Sequence, residues 1–183
     1  MRTLLKGLLL VGLSAWAVTP AWADVFSVSL DVPVSYTYKE SDFHDAKASG
    51  AIVGISLPFL VGFGFEAYTV KAQAGPAPAT DFENKVQMFD VFFNLPVPVV
   101  NIRLGAGVGT SEITVPADPT AMFDKGTLTQ GYLDVGIPIA VLFDVHLGYH
   151  AINGKVKDKS PPGPNPDVDV GAKMWTLGVK VGF

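Results

Sequence analysis

The strongest constraint on the fold of this chain is an alternation of apolar and polar residues. From Val28 to Tyr38, every second residue is apolar or aromatic, and the residues between are serine, threonine, aspartate or proline. Successive side chains of a β-strand point to opposite faces, so the pattern predicts a strand with one apolar face and one polar face. Seven further segments share the alternation, at residues 51–59, 63–67, 89–95, 100–108, 133–137, 141–149 and 175–183.

The connections between the eight segments alternate between long and short. Long polar stretches fall at residues 39–49, 74–84, 110–126 and 153–167, and short breaks fall at 60–61, 96–98 and 138–140. Up-and-down barrels with short turns on one side of a membrane and long loops on the other have this rhythm. We therefore predict an all-β fold, an eight-stranded antiparallel up-and-down transmembrane β-barrel. The register of the third strand is left open beyond Thr69.

The polar faces of the segments carry an unusual amount of charge. Seven strands contribute the set Asp31, Glu66, Asp90, Arg103, Asp134, Asp144, His146 and Lys180. Each of these residues lies near the short-turn end of its strand, so we expect one interior charge layer of crossed ion pairs. The apolar faces then point into lipid. The alternatives are a soluble barrel with its apolar face inward and the solvated face of a sandwich.

Composition agrees with strands that face lipid. Hydrophobic residues make up 49% of the chain and the mean hydropathy is +0.35. After the N-terminus, however, no run of eighteen apolar residues offers a transmembrane helix.

Aromatic residues near the strand ends predict two girdles. We expect Phe59, Phe63, Phe93 and Phe183 at the inner membrane boundary, and Tyr36, Tyr38, Tyr149 and Trp175 at the outer one. At roughly 3.3 Å per residue and a tilt of about 40°, Trp175 and Phe183 stand about 20 Å apart along the membrane normal. This separation is close to the apolar band of roughly 25 Å in such barrels.

The N-terminus has the features of a secretory signal. Arg2 and Lys6 are followed by an apolar stretch over residues 8–18 and by the small-x-small sequence Ala21-Trp22-Ala23. We expect cleavage after Ala23, so that residues 1–23 are a signal peptide and residues 24–183 form the barrel domain. The alternative is a first core helix.

Charge and cysteine content narrow the functional classes. The whole chain has a net charge of −4, and without Arg2 and Lys6 its 11 basic residues stand against 17 acidic ones, a net charge of −6. This balance argues against nucleic-acid binding, which requires a basic stripe. The chain contains no cysteine, so neither a disulfide framework nor a cysteine-linked lipid anchor is available.

The last strand carries the most specific motif, Trp175-Thr176-Leu177-Gly178-Val179-Lys180-Val181-Gly182-Phe183. With it, residues 24–183 resemble the small outer-membrane β-barrel proteins of the OmpA/OmpX-like class. The resemblance implies the outer membrane of a Gram-negative cell, with outer-membrane lipid and lipopolysaccharide as neighbours. It also implies that Phe183 is the signal read by the barrel assembly machinery. Because the chain ends at the barrel, we expect no periplasmic domain.

Three functions remain open from sequence. The first is a scaffold with a lumen plugged by charged residues, whose extracellular loops bind an unknown partner, because eight strands leave room only for side chains. The second is a channel for a small solute or a hydrophobic molecule, for which Gly105, Gly107 and Gly109 could leave space. The third is a lipid-modifying enzyme using His146 or His150, although no serine lies beside them in a recognisable motif.

We expect the chain not to be an enzyme, and we expect no catalytic residues, cofactor or metal. His44, with Asp42 and Asp45, lies in the first long stretch without metal-ligand spacing.

Overall fold

The computed structural model describes residues 26–58, 60–95, 97, 99–118, 120–140, 142–159 and 166–183. The predicted signal peptide, residues 1–23, lies outside these residues, as does Phe59 of the predicted inner girdle. Within the described residues, no helix is long and apolar enough to cross a bilayer.

The described chain folds into β-strands joined by turns and loops. The strands are β1 (Ser27–Tyr38), β2 (Phe43–Ser56), β3 (Val61–Ala74), β4 (Thr80–Leu95), β5 (Asn101–Thr114), β6 (Gly126–Ala140), β7 (Phe143–Lys157), β8 (Asp167–Asp169) and β9 (Ala172–Gly182). Each strand from β1 to β6 pairs antiparallel with the next, β9 pairs with β7, and β9 also pairs with β1. The predicted closed eight-stranded up-and-down barrel is therefore confirmed, with β8 as an addition to the outer end of β7.

The strands are longer than predicted, and the long stretches between them are largely strand. β2 begins at Phe43 and β4 at Thr80, while β5 continues to Thr114 and β7 to Lys157. A tilted strand crosses a bilayer in about 9–11 residues, so strands of 14 to 16 residues such as β2 to β7 extend beyond it.

The alternation continues in these extensions, but there the apolar residues face inward and the polar residues face outward. On β3, Val70 and Ala72 point inward and are buried, whereas Lys71 between them is exposed. The register of β3 therefore continues without interruption beyond Thr69. The sequence prediction requires apolar residues on the outward face of a strand. It therefore assigns extensions of this kind to polar loops.

A β-bulge in β1 corrects the prediction for two girdle residues. The β1–β9 register shifts between Pro33 and Ser35, so that one extra residue is inserted and the side chains after it change face. Tyr36 and Tyr38 consequently lie inside the barrel, 5% and 6% exposed, and do not belong to the outer girdle. Ser35 takes the outward phase instead.

The barrel has an apolar exterior around its short-turn half and an apolar interior in its long-loop half. The exposed belt includes Leu30, Val53, Phe65, Phe89, Leu104, Leu133, Leu147 and Leu177. The interior cluster contains Tyr36, Tyr38, Ile52, Tyr68, Val70, Ala72, Phe82, Val86, Met88, Ile113, Leu128, Ile152, Val156, Val170, Ala172 and Met174. The exposed apolar belt matches the lipid-facing band of a membrane barrel. The interior cluster is the hydrophobic core of the part of the barrel that extends beyond the bilayer.

Candidate functional site

The structure places the predicted charge residues inside the barrel. Seven of the eight are buried, and Lys180 is partly buried. They reach the lumen because each occupies the inward phase of its strand, as Asp144 and His146 do between the outward Phe143 and Leu147.

Two ion pairs lie toward the short-turn end of the lumen. The ammonium of Lys180 is 2.8 Å from Asp144 Oδ2, and Asn101 Nδ2 donates to the same oxygen at 2.6 Å. Arg103 Nη1 donates to Asp134 Oδ2 at 3.2 Å. Both pairs join register partners on neighbouring strands, Asp144 of β7 with Lys180 of β9 and Arg103 of β5 with Asp134 of β6.

Two further contacts complete this part of the interior. The guanidinium of Arg103 lies 4.4 Å from the centre of the Phe92 ring, in cation–π geometry. His146 Nε2 is hydrogen-bonded to Asp31 Oδ1, which joins β7 to β1.

A second polar group lies deeper, next to the apolar interior cluster. Gln130 Nε2 donates to Glu66 Oε1 at 2.8 Å and to Asp90 Oδ1 at 2.7 Å. His150 Nδ1 is 3.2 Å from Gln130 Oε1, and its Nε2 is 3.4 Å from the Thr176 hydroxyl. Glu66 and Asp90 are thus held by an amide, and Glu66 Oε1 is also 3.5 Å from His150.

The polar side chains of the interior therefore extend along the barrel axis, whereas the sequence predicted that they form a single layer. Asp144, His146 and His150 follow one another along β7 and serve successive groups of partners. Six residues separate the first from the last, which is about 20 Å of strand at 3.3 Å per residue. A polar column, rather than a plane, fills the short-turn half of the lumen.

Sequence reasoning missed several members of the column. Gln130 precedes the segment predicted as the sixth strand, although it shares the inward phase of Asp134. Asn101 begins β5 in the same inward phase as Arg103. Tyr132 stacks on the His150 ring, with centroids 4.8 Å apart. The signal for Gln130 is the alternation itself. Extending the inward phase of Asp134 back beyond the predicted start of the sixth strand leads to Gln130.

Glycines of β5 make room for these side chains. A Cβ added at Gly105 would overlap the Tyr132 ring, and one at Gly107 would overlap the carboxylate of Asp90. The space left by these glycines is therefore occupied by side chains of the neighbouring strands β6 and β4 and does not form an open path.

Small cavities remain within the column. One of about 10 Å³ is lined by Asp90, Phe92, Arg103 and Tyr132 among others, and one of about 20 Å³ lies between Asn94 and Lys180. Each has room for roughly one or two water molecules. Among the described residues, no group of three or more His, Cys, Asp or Glu side chains is arranged to hold a metal ion.

The other girdle residues that the structure describes face outward. Phe63, Phe93, Trp175 and Phe183 are exposed, and the ring of Tyr149 is 5.0 Å from that of Trp175. The amide of Phe183 donates to the Phe26 carbonyl at 2.8 Å, and the two rings lie 6.3 Å apart. Phe183 thus ends the last strand at the short-turn end of the barrel; its reading by the assembly machinery stays a prediction.

Comparison with known proteins places the fold. No protein-family model matches the chain, and no curated protein matches it in sequence. The crystal structure of Neisserial surface protein A matches 86% of this chain and 97% of its own, with a TM-score of 0.51 and 18% identity. The solid-state NMR structure of outer membrane protein AlkL in lipid bilayers matches 86% of this chain and 89% of its own, with a TM-score of 0.53 and 12% identity.

These likenesses concern the fold, and they agree with the exposed apolar belt and the closed strand order described above. This chain therefore has the fold of an eight-stranded β-barrel similar to those of small outer-membrane proteins.

Proposed function

We propose that this protein is an outer-membrane scaffold that presents its extracellular loops for interaction and does not conduct solutes through its lumen. The observation that supports this most directly is that the lumen is filled in two successive parts. The polar column occupies the short-turn half, and the apolar interior cluster occupies the long-loop half. A hydrated solute would have to displace both.

The apolar part of this filling is the stronger barrier. Val70, Met88, Ile152 and Met174 are 0% exposed, and Leu128 is 1% exposed. Water and ions cross packed apolar side chains poorly because nothing there replaces their hydrogen bonds. A channel would need this cluster to separate, and buried side chains of this kind pack at the density of a protein interior.

The filling also disfavours the enzyme hypothesis. His150 is 3% exposed and His146 is 5% exposed, and both are engaged inside the lumen with other polar side chains. A catalytic base for a lipid would need to reach the barrel surface. We therefore assign both histidines to the structural network.

The loop after β5 supports the presentation of a fixed surface. The Asp124 amide donates to the Lys157 carbonyl at 2.9 Å, and the Lys159 amide donates to the Met122 carbonyl at 2.7 Å. The Lys159 ammonium is 2.8 Å from Asp124 Oδ1. These bonds fasten the loop to the end of β7, and loops held on a rigid scaffold are common binding surfaces.

A groove at this loop offers a place for a partner. Its volume is about 450 Å³, and apolar Ile113 and Phe123 line it together with Asp118. Hydrogen bonds from the Thr120 hydroxyl and amide, at 2.6 and 2.9 Å, hold the pKa of Asp118 below its usual range. The groove thus combines an apolar floor with an ionised rim at neutral pH.

Conductance in planar bilayers tests the closed lumen. We expect no unitary steps from the purified wild-type barrel, and we expect liposomes containing it to remain as impermeable to small sugars as empty ones. Reproducible unitary conductance that disappears when the protein is omitted would refute the scaffold proposal. A general pore-forming outer-membrane protein reconstituted in parallel shows that the assay detects channels.

A photo-crosslinking amino acid at position 122 tests the loop. We expect adducts on intact cells at position 122, and none with the same extracellular molecule when the probe is at position 97, in a short turn. Absence of adducts at position 122, in cells where the barrel is folded and surface-exposed, would count against presentation by this loop.

A further inference from the structure

The loop between β5 and β6 carries an exposed apolar side chain that contact with lipid does not explain. Among the described residues, the other exposed large apolar side chains lie on the lipid-facing belt or at the short-turn end of the barrel, whereas Met122, 59% exposed, lies on this loop. On β5 the last exposed large apolar residue is Val108, and Ile113 follows it after about 16 Å of strand. The groove that Ile113 and Met122 line therefore lies beyond the belt, where another protein can reach it.

The frame of this groove is fixed by backbone pairing and by the core. Phe123 forms an isolated β-bridge with Asp158, and the Asp118 amide donates to the Val115 carbonyl at 3.1 Å. Val115 and Phe123 also pack against the interior apolar cluster. The volume of about 450 Å³ lies in the range of preformed ligand pockets. A fixed frame of this kind binds an apolar group with little cost in ordering.

The charge of the groove remains negative after its neighbours are counted. Asp118, Asp124 and Lys159 line it, which gives a net charge of −1, and Lys159 is 2.8 Å from Asp124. The charged residues within two positions of this lining are two acids and two bases, which sum to zero: Glu112, Lys125, Lys157 and Asp158. Among the described residues, no lysine or arginine lies within ion-pairing distance of Asp118. The net negative charge therefore lies at Asp118.

The Asp118 carboxylate is held in place and still has capacity for a ligand. The Thr120 hydroxyl and amide donate to its Oδ1 at 2.6 and 2.9 Å. A carboxylate can accept about four hydrogen bonds, and Asp118 is exposed. A ligand cation can therefore form a charge-assisted hydrogen bond with it while the bonds from Thr120 persist.

We propose that this groove binds a segment of a partner protein in which a large apolar side chain lies next to a lysine or arginine. The apolar side chain packs on Phe123 and Met122, and the cation pairs with Asp118. Methionine adapts to apolar groups of different shape, so the groove accepts a class of segments. Charge complementarity at Asp118 selects basic segments over acidic ones. This assignment rests on the proposed presentation of the loops and specifies the chemistry of the partner.

The test is the selection of short random peptides, displayed on phage, that bind the purified full-length protein in lipid nanodiscs. We expect enrichment, relative to empty nanodiscs, of peptides with Lys or Arg beside a large apolar residue. Asp118→Asn should weaken a selected peptide about threefold to fivefold, because asparagine can still accept from Thr120 but loses the charge. The matched control, Asp42→Asn, removes an exposed acid from the turn between β1 and β2 and should change the affinity less than about twofold.

Reversal of the charge gives a sharper test than its removal. Selection against Asp118→Lys should enrich peptides with Asp or Glu beside the apolar residue. Met122→Ser should weaken peptides of both kinds, because the apolar contact is lost. Enrichment without any preference for charge, or equal weakening by Asp118→Asn and Asp42→Asn, would overturn the proposal.

Other occupants of the groove give different results. A second copy of this chain would appear as adducts between two barrels when the purified protein carries a photo-crosslinking amino acid at position 122. A small cationic ligand would be indicated if octylamine bound as tightly as the selected peptides. Either result would contradict the assignment to a segment of a partner protein.

The outcomes also separate this proposal from the scaffold proposal. Peptides that depend on Met122 but not on Asp118 would contradict the chemistry assigned to the groove and leave the loop as a binding surface. Unitary conductance would refute the closed scaffold and leave the selectivity for peptides unaffected. Heat-modifiable migration on gels shows that each variant is folded.

Discussion

Replacing Arg103 with methionine should destabilise the barrel far more than replacing any exposed lysine. Arg103 is 8% exposed, donates to Asp134 at 3.2 Å, and lies over the Phe92 ring. Asp134 is 4% exposed and comes from the neighbouring strand β6. Methionine keeps much of the volume of the side chain and removes the charge, so the variant leaves the carboxylate of Asp134 without its cation.

The expected loss is about 3–5 kcal/mol in the free energy of unfolding, because removing one partner of a buried ion pair leaves an uncompensated charge. Replacing both partners, as Arg103→Met/Asp134→Leu, should recover most of this loss, since two apolar side chains carry no desolvation cost. The matched control is Lys71→Met, which breaks the exposed Lys71–Glu83 pair at 3.0 Å. That pair should contribute no more than about 1 kcal/mol.

Equilibrium urea unfolding in lipid vesicles measures these differences. Trp175 is the one tryptophan after residue 23, and it faces outward on β9, so its fluorescence reports its transfer from lipid to water. An Arg103→Met variant within about 1 kcal/mol of the wild type would refute the assignment of Arg103 to a buried pair. A double variant as unstable as the single one would show that the loss arises from packing and not from the stranded charge.

The remaining predictions concern the space and the faces of the barrel. Gly107→Ala should destabilise by about 1–3 kcal/mol, because its Cβ would overlap the Asp90 carboxylate. Gly131→Ala should be tolerated, because the nearest atom to its Cβ is 4.0 Å away; equal urea midpoints for the two variants would contradict the filled lumen. Because the chain lacks cysteine, Tyr36→Cys should resist a thiol reagent in folded barrels while Ser35→Cys reacts. Reaction of both at the same rate would contradict the bulge.

The strand order and the closed barrel were predictable because alternation of period two is a local property. Inward charges such as Asp31 and Asp134 were predictable for the same reason, since each alternates with apolar neighbours that face outward. Which acid meets which cation was not predictable. Lys180 and Asp144 are 36 residues apart in the chain, and the β7–β9 register brings them together.

Tyr36 and Tyr38 show why the side-chain directions in the long-loop half of the barrel could not be predicted from the sequence. They continue the apolar phase of Val32 in the sequence, yet a single inserted residue near Pro33 turns them into the lumen. A bulge leaves the pattern of residue types unchanged, so only the pairing with β9 reveals it. The extensions beyond the membrane were missed for a related reason, because the solvent around the barrel changes from lipid to water along one continuous strand.

The sequence by itself determined that this chain forms eight alternating strands with charge on the inward faces. It did so because the two faces of a strand are read directly from neighbouring residues. The tertiary structure decided that the lumen is filled by a polar column below and an apolar cluster above. These features depend on register and closure, which are set by contacts between strands far apart in the chain.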